Sequence, residues 1–303
     1  MTWINCLREL ALDAVGHQVR SMTGSESSLE DFQSPPGDTG LFGPDSIAWR
    51  VHAHFSAMMV GGLSSLMVQS LYPRALAAVW DHSNFRVDLK KRLGRTAYFV
   101  AATTYGSESL ALQAIHRVNS IHASIRGVDR AGKPYVANDP DLIRWVHLVE
   151  VDSFLTAYQY LSPQPLAPAH CDQYIAEMTQ VGHRLGATSL PLDWSSTRRE
   201  LLTFLPHLDF DDRAQEIVRV VQSYPADLVD KPFMTLVLAS AFDVMPSWAL
   251  SLIGRQPRGW AQRLATRLAL QVASQPVQWT LDHRGVAATA RQRVEGAGHE
   301  SVR

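Results

Sequence analysis

Hydrophobic residues recur along this chain at helical spacing, and helix-capping signals separate one run from the next. The candidate caps are Asp45 or Ser46, Asp88, Ser107 and Asp139, the last followed by Pro140. No run alternates convincingly between apolar and polar residues as a half-buried strand does, and no internal repeat is evident. The pattern therefore predicts an all-α fold made of a single globular multi-helix domain.

Polar stretches set the expected domain limits. Residues 1–43 are interpreted as a short amphipathic helix followed by a flexible arm that is rich in Ser, Gly, Pro and acidic residues. The folded helical domain is expected at residues 44–283. Polar residues 284–303 are expected to form a disordered tail.

The first helix of that domain is expected to be long. It is predicted to run from its cap through His52 and His54 to about Ser70. The pair Gly61-Gly62 inside it costs helix stability, so it indicates either a kink or a place where something packs close to the backbone.

Composition narrows the class of protein. The 303 residues are 46% hydrophobic and 19% charged, which is enough apolar material for a sizeable core. A net charge of −1 leaves no basic surplus for a nucleic-acid surface. The isolated Cys6 and Cys171 are typical of a reduced cytoplasmic protein. Because the longest apolar runs are short and the N-terminal stretch carries charges, neither stable membrane insertion nor a secretory signal is expected.

Two constellations carry candidate chemistry. Arg92, Arg95 and Thr96 share one helical face, because residues three and four apart are neighbours on a helix. His122 and Arg126 share another, on a helix that Gly127 would end as a left-handed cap. A neutral imidazole is a good iron ligand, and arginine pairs well with carboxylates. These residues suggest a haem site between helices, with histidine for the iron and arginine for the propionates or bound oxygen.

Each candidate also has a plainer interpretation. His122 alone is better explained as a core histidine that bonds a carbonyl group, and Arg92 and Arg95 as solvated helix residues. The Thr96 hydroxyl is less ordinary, because a β-branched polar residue gains little on an exposed helix face. Facing a cavity, it would donate a hydrogen bond to bound oxygen or to a haem carboxylate.

Other histidines are weaker candidates. His147 and Glu150 reverse the Glu-x-x-His order of di-iron bundles and have no second copy, so His147 is assigned either to a substrate pocket or to a structural role. His52 and His54 point to different sides of their helix, so at most one faces a site, and His52 is the one assigned to the substrate pocket. The chain also lacks the phosphate-loop, zinc-site and Gly-x-Ser-x-Gly motifs of kinases and hydrolases.

Short motifs follow one another in a specific order, namely Gly43-Pro-Asp-Ser-Ile-Ala-Trp49, Gly61-Gly62-Leu63, Arg92-x-x-Arg95-Thr96, His122-x-x-x-Arg126-Gly127 and Asn138-Asp-Pro140-x-x-x-x-Trp145-Val-His147. The series resembles the family of the ER-bound oxygenase of mycophenolic acid biosynthesis. That family shares its catalytic domain with the rubber oxygenase called latex-clearing protein. The resemblance covers roughly residues 40–253.

The resemblance implies an all-helical, globin-like core that binds b-type haem. It assigns the proximal iron ligand to His122, with Arg126 four residues on, and places Arg92, Arg95 and Thr96 near the haem. Arg95 stands where the rubber oxygenase has lysine, and arginine stays protonated and cannot ligate iron. An open or water-ligated sixth position is therefore implied. The catalytic glutamate of the rubber oxygenase has no counterpart here, so polyisoprene cleavage is not implied.

The function expected on this basis is a haem b-dependent oxygenase or other oxidoreductase that uses dioxygen or peroxide on a small apolar or aromatic molecule. The alternatives are a non-catalytic haem sensor or carrier, and a helical scaffold without a cofactor. The expected partners are a small-molecule substrate and, as an alternative to a monomer, a second copy of the chain.

Overall fold

The computed structural model describes residues 28–224, 228 and 230–296, and these form a single, predominantly helical domain. The predicted all-α fold class is confirmed. In chain order the α-helices are α1 (Ile47–His52), α2 (Phe55–Gln69), α3 (Pro73–His82), α4 (Leu89–Tyr105), α5 (Glu108–Ser124), α6 (Pro140–Leu161), α7 (Pro168–Leu185), α8 (Trp194–Thr203), α9 (Asp212–Gln222), α10 (Lys231–Val244), α11 (Ser247–Leu252), α12 (Trp260–Arg284) and α13 (Val286–Glu295). Two 3₁₀ turns lie at Leu29–Phe32 and Leu205–His207. No helix among these residues has the length and hydropathy needed to cross a membrane.

Helices α2 and α6 pack against each other at the centre of the core. A Cβ atom added at Gly61 would lie 2.8 Å from the Phe154 ring and 3.0 Å from the carbonyl oxygen of Ser153. Only a residue without a side chain allows this approach. The glycine pair therefore marks close packing rather than a kink, and α2 runs through it without interruption.

The prediction of one long first helix is wrong, because the chain forms two separate helices, α1 and α2, in this region. Ala53 ends α1, and His54 adopts an extended conformation and caps α2 by accepting from the Ala57 amide. Glu177 of α7 anchors the other end of α1, since its carboxylate accepts the amide protons of Ile47 and Ala48 at 3.2 and 2.8 Å. The break and the anchor fix the direction of α1, and with it the position of His52.

A small β-hairpin, which the sequence pattern did not predict, follows α5. Strand β1 (Arg126–Val128) pairs antiparallel with β2 (Pro134–Val136), so Gly127 faces Tyr135. The prediction that Gly127 ends α5 as a left-handed cap is wrong, because α5 ends at Ser124 and Gly127 is a strand residue. Its lack of a side chain serves packing instead, since a Cβ atom there would lie 2.6 Å from the Tyr135 hydroxyl.

The two ends of the described chain pack together. Arg293 of α13 is buried, and it donates to the carbonyl oxygens of Asp38 at 2.9 Å and Phe32 at 3.0 Å. Phe32 itself is completely buried. Residues 28–43 and 286–295 are therefore parts of the packed domain, not the flexible arm and disordered tail that the sequence indicated. The predicted helix over residues 1–22 and the last residues of the predicted tail, 297–303, lie outside the described residues.

Candidate functional site

Helices α4 and α5 form an antiparallel hairpin whose open end carries the predicted haem residues. Asp88 and Ser107 cap the two helices as the sequence predicted, and only Gly106 and Ser107 join them. Arg92 lies 13 residues before the end of α4, and His122 lies 14 residues after the start of α5. At 1.5 Å per residue, both lie about 20 Å from the turn. The fold thus brings these two residues to the same level of neighbouring helices.

His122 lies on the inner face of α5. Ala111, Ile115 and Val118 precede it at spacings of four and three, and Ala111 and Ile115 are the buried residues of this helix. The Nδ1 atom of His122 is buried, and it has no hydrogen-bond partner among the described residues. Burial lowers the pKa of His122 below its ordinary value of 6.5, so the ring is neutral at pH 7. It is an imidazole with the right protonation state for a metal ligand.

Arg92 is half-buried at the level of His122. Its guanidinium donates to the Ser83 hydroxyl at 2.8 Å, and no carboxylate of the described residues forms an ion pair with it. Burial and the nearby charge of Arg95 lower the pKa of Arg92 to about 10, and the group remains charged at pH 7. A half-buried cation that lacks an acidic partner has unused capacity to bind an anionic group.

Arg95 and Thr96 are both exposed. The Thr96 hydroxyl donates to the backbone oxygen of Arg92 at 3.4 Å, which is a local bond within the helix. The expectation that Thr96 faces a cavity is therefore not met among the described residues. Of the three residues predicted on this face, Arg92 is the one directed into the protein.

Arg126 does not share a helical face with His122. Because α5 ends at Ser124, Arg126 begins strand β1, where its side chain is exposed and donates to the carbonyl oxygen of Ala123 at 3.3 Å. The predicted pairing on one helix is wrong for this reason. Arg126 lies near the end of α5 without being directed to the face that holds His122.

Helix α5 is poorly covered for its length. It buries two of its 17 residues, whereas α6 buries 14 of 22. Leu112 and Ile121 of α5 are 41% and 49% exposed. A helix without a well-covered apolar face gains little from packing, so α5 has apolar surface available for a further partner.

A second group of polar residues lies deep in the fold, where α1, α4 and α7 meet. His52 joins the Thr104 hydroxyl at 2.7 Å and the Tyr174 hydroxyl at 3.0 Å, and the edge of the Phe154 ring packs beside it. Burial lowers the pKa of His52 to about 3, so the ring stays neutral. Both ring nitrogens have partners, so His52 cannot also bind a substrate without breaking one of these bonds.

Glu150 of α6 belongs to the same region. Burial, with a smaller contribution from the charge of Glu150, raises the pKa of Tyr174. Burial raises the pKa of Glu150 itself to about 7. Sequence reasoning considered this residue only as part of a di-iron motif. Its spacing from His147 was visible, but its burial depends on α7, which is distant in the sequence.

His147 is buried one turn before Glu150. Its ring packs against α7, where a Cβ atom added at Gly182 would lie 2.9 Å from the Nε2 atom. Burial, with a smaller contribution from His183, lowers the pKa of His147 to about 4. No three His, Cys, Asp or Glu side chains converge as a metal site within residues 28–224 and 230–296.

A family model described as "ER-bound oxygenase mpaB/B'/Rubber oxygenase, catalytic domain" matches residues 49–275, which is most of the chain. The chain belongs to this family. The resemblance predicted from the motif series is thereby confirmed. No curated protein and no solved structure matched the chain.

The matched part of this oxygenase domain begins within α1 and ends within α12. It includes every predicted site residue and the polar cluster around His52. The family establishes an oxygenase type of enzyme domain, which is an oxidoreductase. The roles of individual residues remain predictions.

Proposed function

We propose that this protein is a haem-dependent oxygenase in which His122 holds the iron and a small apolar or aromatic molecule is the substrate. One observation carries the proposal: the buried Nδ1 atom of His122, on the inner face of a poorly covered helix, has no hydrogen-bond partner in the part of the chain that the structure describes. Buried polar groups in folded proteins almost always have a partner. A ligand that engages the imidazole and covers α5 would satisfy both features.

The residues at the open end of the α4–α5 hairpin fit a haem group chemically. His122 supplies a neutral imidazole, and Arg92, which has no acidic partner among the described residues, supplies a cation for a propionate. Arg95 and Arg126 are exposed nearby, so they would reach carboxylates at the rim of the site rather than in its interior. When bound, the haem would supply the redox chemistry that activates dioxygen or peroxide.

The chain's own residues would bind and orient the reactants. Phe99 lies two turns after Arg92 on the same face of α4, and it packs half-buried against the main core. An apolar surface beside a cation favours a substrate with an apolar or aromatic body. Because arginine cannot lose its proton at neutral pH, Arg95 cannot act as a ligand to iron.

Glu150 would hold or release a proton. A carboxyl group with a pKa of about 7 is populated in both protonation states at neutral pH, as acid–base catalysis requires. Neighbouring Tyr174 and His52 both stay neutral in that range, because burial raises the pKa of the phenol and lowers that of the imidazole. Proton exchange in this region is therefore assigned to the Glu150 carboxylate.

The test compares two histidines of the same helix. Protein produced with a haem precursor should show a strong Soret band that His122→Ala loses almost completely. His116→Ala, at an exposed position on α5, should keep it. Equal Soret bands in the two variants would contradict the assignment of His122.

Activity separates an enzyme from a haem carrier. The haem-loaded protein should consume peroxide while it oxidises an aromatic reductant, and the consumption should fall with Arg92→Gln more than with Arg95→Gln. A haem-bound protein with a spectrum insensitive to added ligands and no turnover would instead identify a carrier or sensor.

A further inference from the structure

Helix α12 exposes an unusually apolar face. Five of its large hydrophobic residues are exposed, and they are, in chain order, Trp260 (79% exposed), Leu264, Leu268, Val272 (66% exposed) and Trp279. The first four of these recur every four residues, so they follow one side of the helix. Together the five side chains present on the order of 600 Å² of apolar surface, the upper end of what the largest patch on a monomeric protein usually measures.

The positions between these large residues are also apolar. The exposed residues there are small or cyclic: Ala261, Ala265, Ala269, Ala273 and Pro276. The polar exceptions are Gln262 and Gln275, and the described part of α12 places no charged residue within this face between its two tryptophans. From Trp260 to Trp279 the face extends about 28 Å along the helix. Such a surface is costly to leave in water.

The charges along most of this face are positive, and exposed Asp282, one turn beyond Trp279, is the acidic exception on α12. Residues 245–281 contain four arginines and no acidic residue, in a chain whose net charge is −1. Arg263 and Arg267 lie on one margin of the α12 face, and Arg255 packs over the Phe242 ring at 4.1 Å. Arg258 is neutralised by the buried carboxylate of Asp243. Three arginines therefore remain as a local positive excess, although Arg263 also lies 3.9 Å from that carboxylate.

A cavity of about 440 Å³ opens between α10, α11 and the start of α12. Arg255, Arg258 and Arg263 line it together with the apolar side chains of Leu238 and Phe242 and with Asp243, whose carboxylate pairs with Arg258. The guanidinium group of Arg255, which lies over the Phe242 ring, suits a phosphate that is attached to hydrocarbon. The cavity lies where the apolar face of α12 begins.

We propose that α12 and the adjoining arginines form a docking surface for an anionic lipid bilayer. The apolar face would lie in the plane of the interface, with its tryptophans at headgroup depth and Arg255, Arg263 and Arg267 towards lipid phosphates. This arrangement needs no helix that crosses the bilayer. A second copy of the chain fits less well, because two copies would bring the same unpaired positive charges together.

Vesicle co-sedimentation of the full chain tests the proposal. Binding to vesicles of phosphatidylcholine and phosphatidylglycerol should exceed binding to phosphatidylcholine alone by at least about tenfold, and should weaken as salt rises from about 0.1 M to about 1 M. Leu268→Glu should lower the binding at least about tenfold, because it places a charge in the centre of the apolar face. The double variant Arg263→Gln with Arg267→Gln should remove the preference for anionic lipid.

A matched control is Leu192→Glu, since Leu192 is a 64% exposed leucine away from α12. It should bind vesicles like the wild type, and the melting temperature of each variant verifies folding. The proposal is overturned if the wild type does not bind, or if Leu192→Glu and Leu268→Glu weaken binding equally. It is also overturned if Leu268→Glu dissociates a dimer without affecting vesicle binding. A further contradicting result is loss of binding in Leu7→Glu, within the amphipathic helix that the sequence predicts over residues 1–22, but not in Leu268→Glu.

Discussion

The two polar regions of this domain differ in how completely their hydrogen bonds are satisfied. Around His52, both ring nitrogens have hydroxyl partners within 3.0 Å, and the ring is enclosed by α1, α4 and α7. At the open end of the α4–α5 hairpin, within residues 28–224 and 230–296, His122 has a buried nitrogen without a partner, and Arg92 bonds a single hydroxyl. A satisfied cluster stabilises the fold, whereas an unsatisfied one is prepared for a ligand.

The largest change in stability is expected from a substitution that disrupts the hydrogen-bonded cluster around His52. His52→Ala should lower the free energy of unfolding of the cofactor-free protein by about 4 kcal/mol, because it leaves a cavity and two buried hydroxyls without partners. His122→Ala should lower it by less than about 1 kcal/mol, since the His122 side chain makes no hydrogen bond with the described residues that could be lost. Urea unfolding of both variants measures the difference. Similar losses in the two would contradict the distinction between the regions.

Glu150, which lies near the His52 cluster, extends the comparison because it makes the free energy of unfolding depend on pH. Its folded pKa of about 7 lies above its ordinary value of 4.5, so its protonated form is favoured by folding. Its contribution to stability is therefore present below pH 4.5 and lost as the pH rises to 7. The buried His52 and His147 act in the opposite direction, because their lowered pKa values make stability fall as the pH drops below 6.5.

The measurement compares the wild type with Glu150→Gln, so the histidine contributions cancel. The change in free energy of unfolding from pH 5 to pH 8 should be more favourable in the variant by about 2 kcal/mol. Glu108→Gln, at an exposed position, serves as the control. Parallel pH profiles for the wild type and Glu150→Gln would show that the carboxylate is not held in an apolar environment.

The smallest expected effect is a difference in haem affinity between substitutions of the two arginines of α4. Arg92→Gln should weaken haem binding about tenfold, which corresponds to about 1.4 kcal/mol, because it removes a half-buried cation. Arg95→Gln should change the affinity by less than about threefold, since Arg95 is exposed and water screens its charge. Haem titration followed by absorption gives both values. A larger effect of Arg95→Gln would contradict the assignment of Arg92 as the arginine that contacts the haem.

Local signals in the sequence predicted the helices well. Asp88, Ser107 and Asp139 cap the helices as expected, because a cap depends only on neighbouring residues. The end of α5 was missed, because Gly127 is required by the Tyr135 ring rather than by a helix cap. The requirement for glycine at this position comes from a tertiary contact, and no sequence pattern within α5 indicates that contact.

The site was predictable in part for the same reason. His122 and Arg92 were identified from spacing and resemblance, and the fold brings them to one level of the hairpin. The environment of Glu150 and the bonded state of His52 were not predictable, because they depend on Tyr174 from α7. Burial of a polar residue is set by distant segments, which a single sequence does not specify.

The central claim is that His122 holds the haem iron. Chemical rescue of a variant that lacks this side chain tests the claim most directly. His122→Gly should lose haem, and added imidazole should restore a Soret band with the spectrum of an imidazole-ligated haem. The same treatment of His116→Gly should change nothing, because that position is exposed and would keep its haem throughout. Retention of haem by His122→Gly without imidazole, with an unchanged spectrum, would contradict the account.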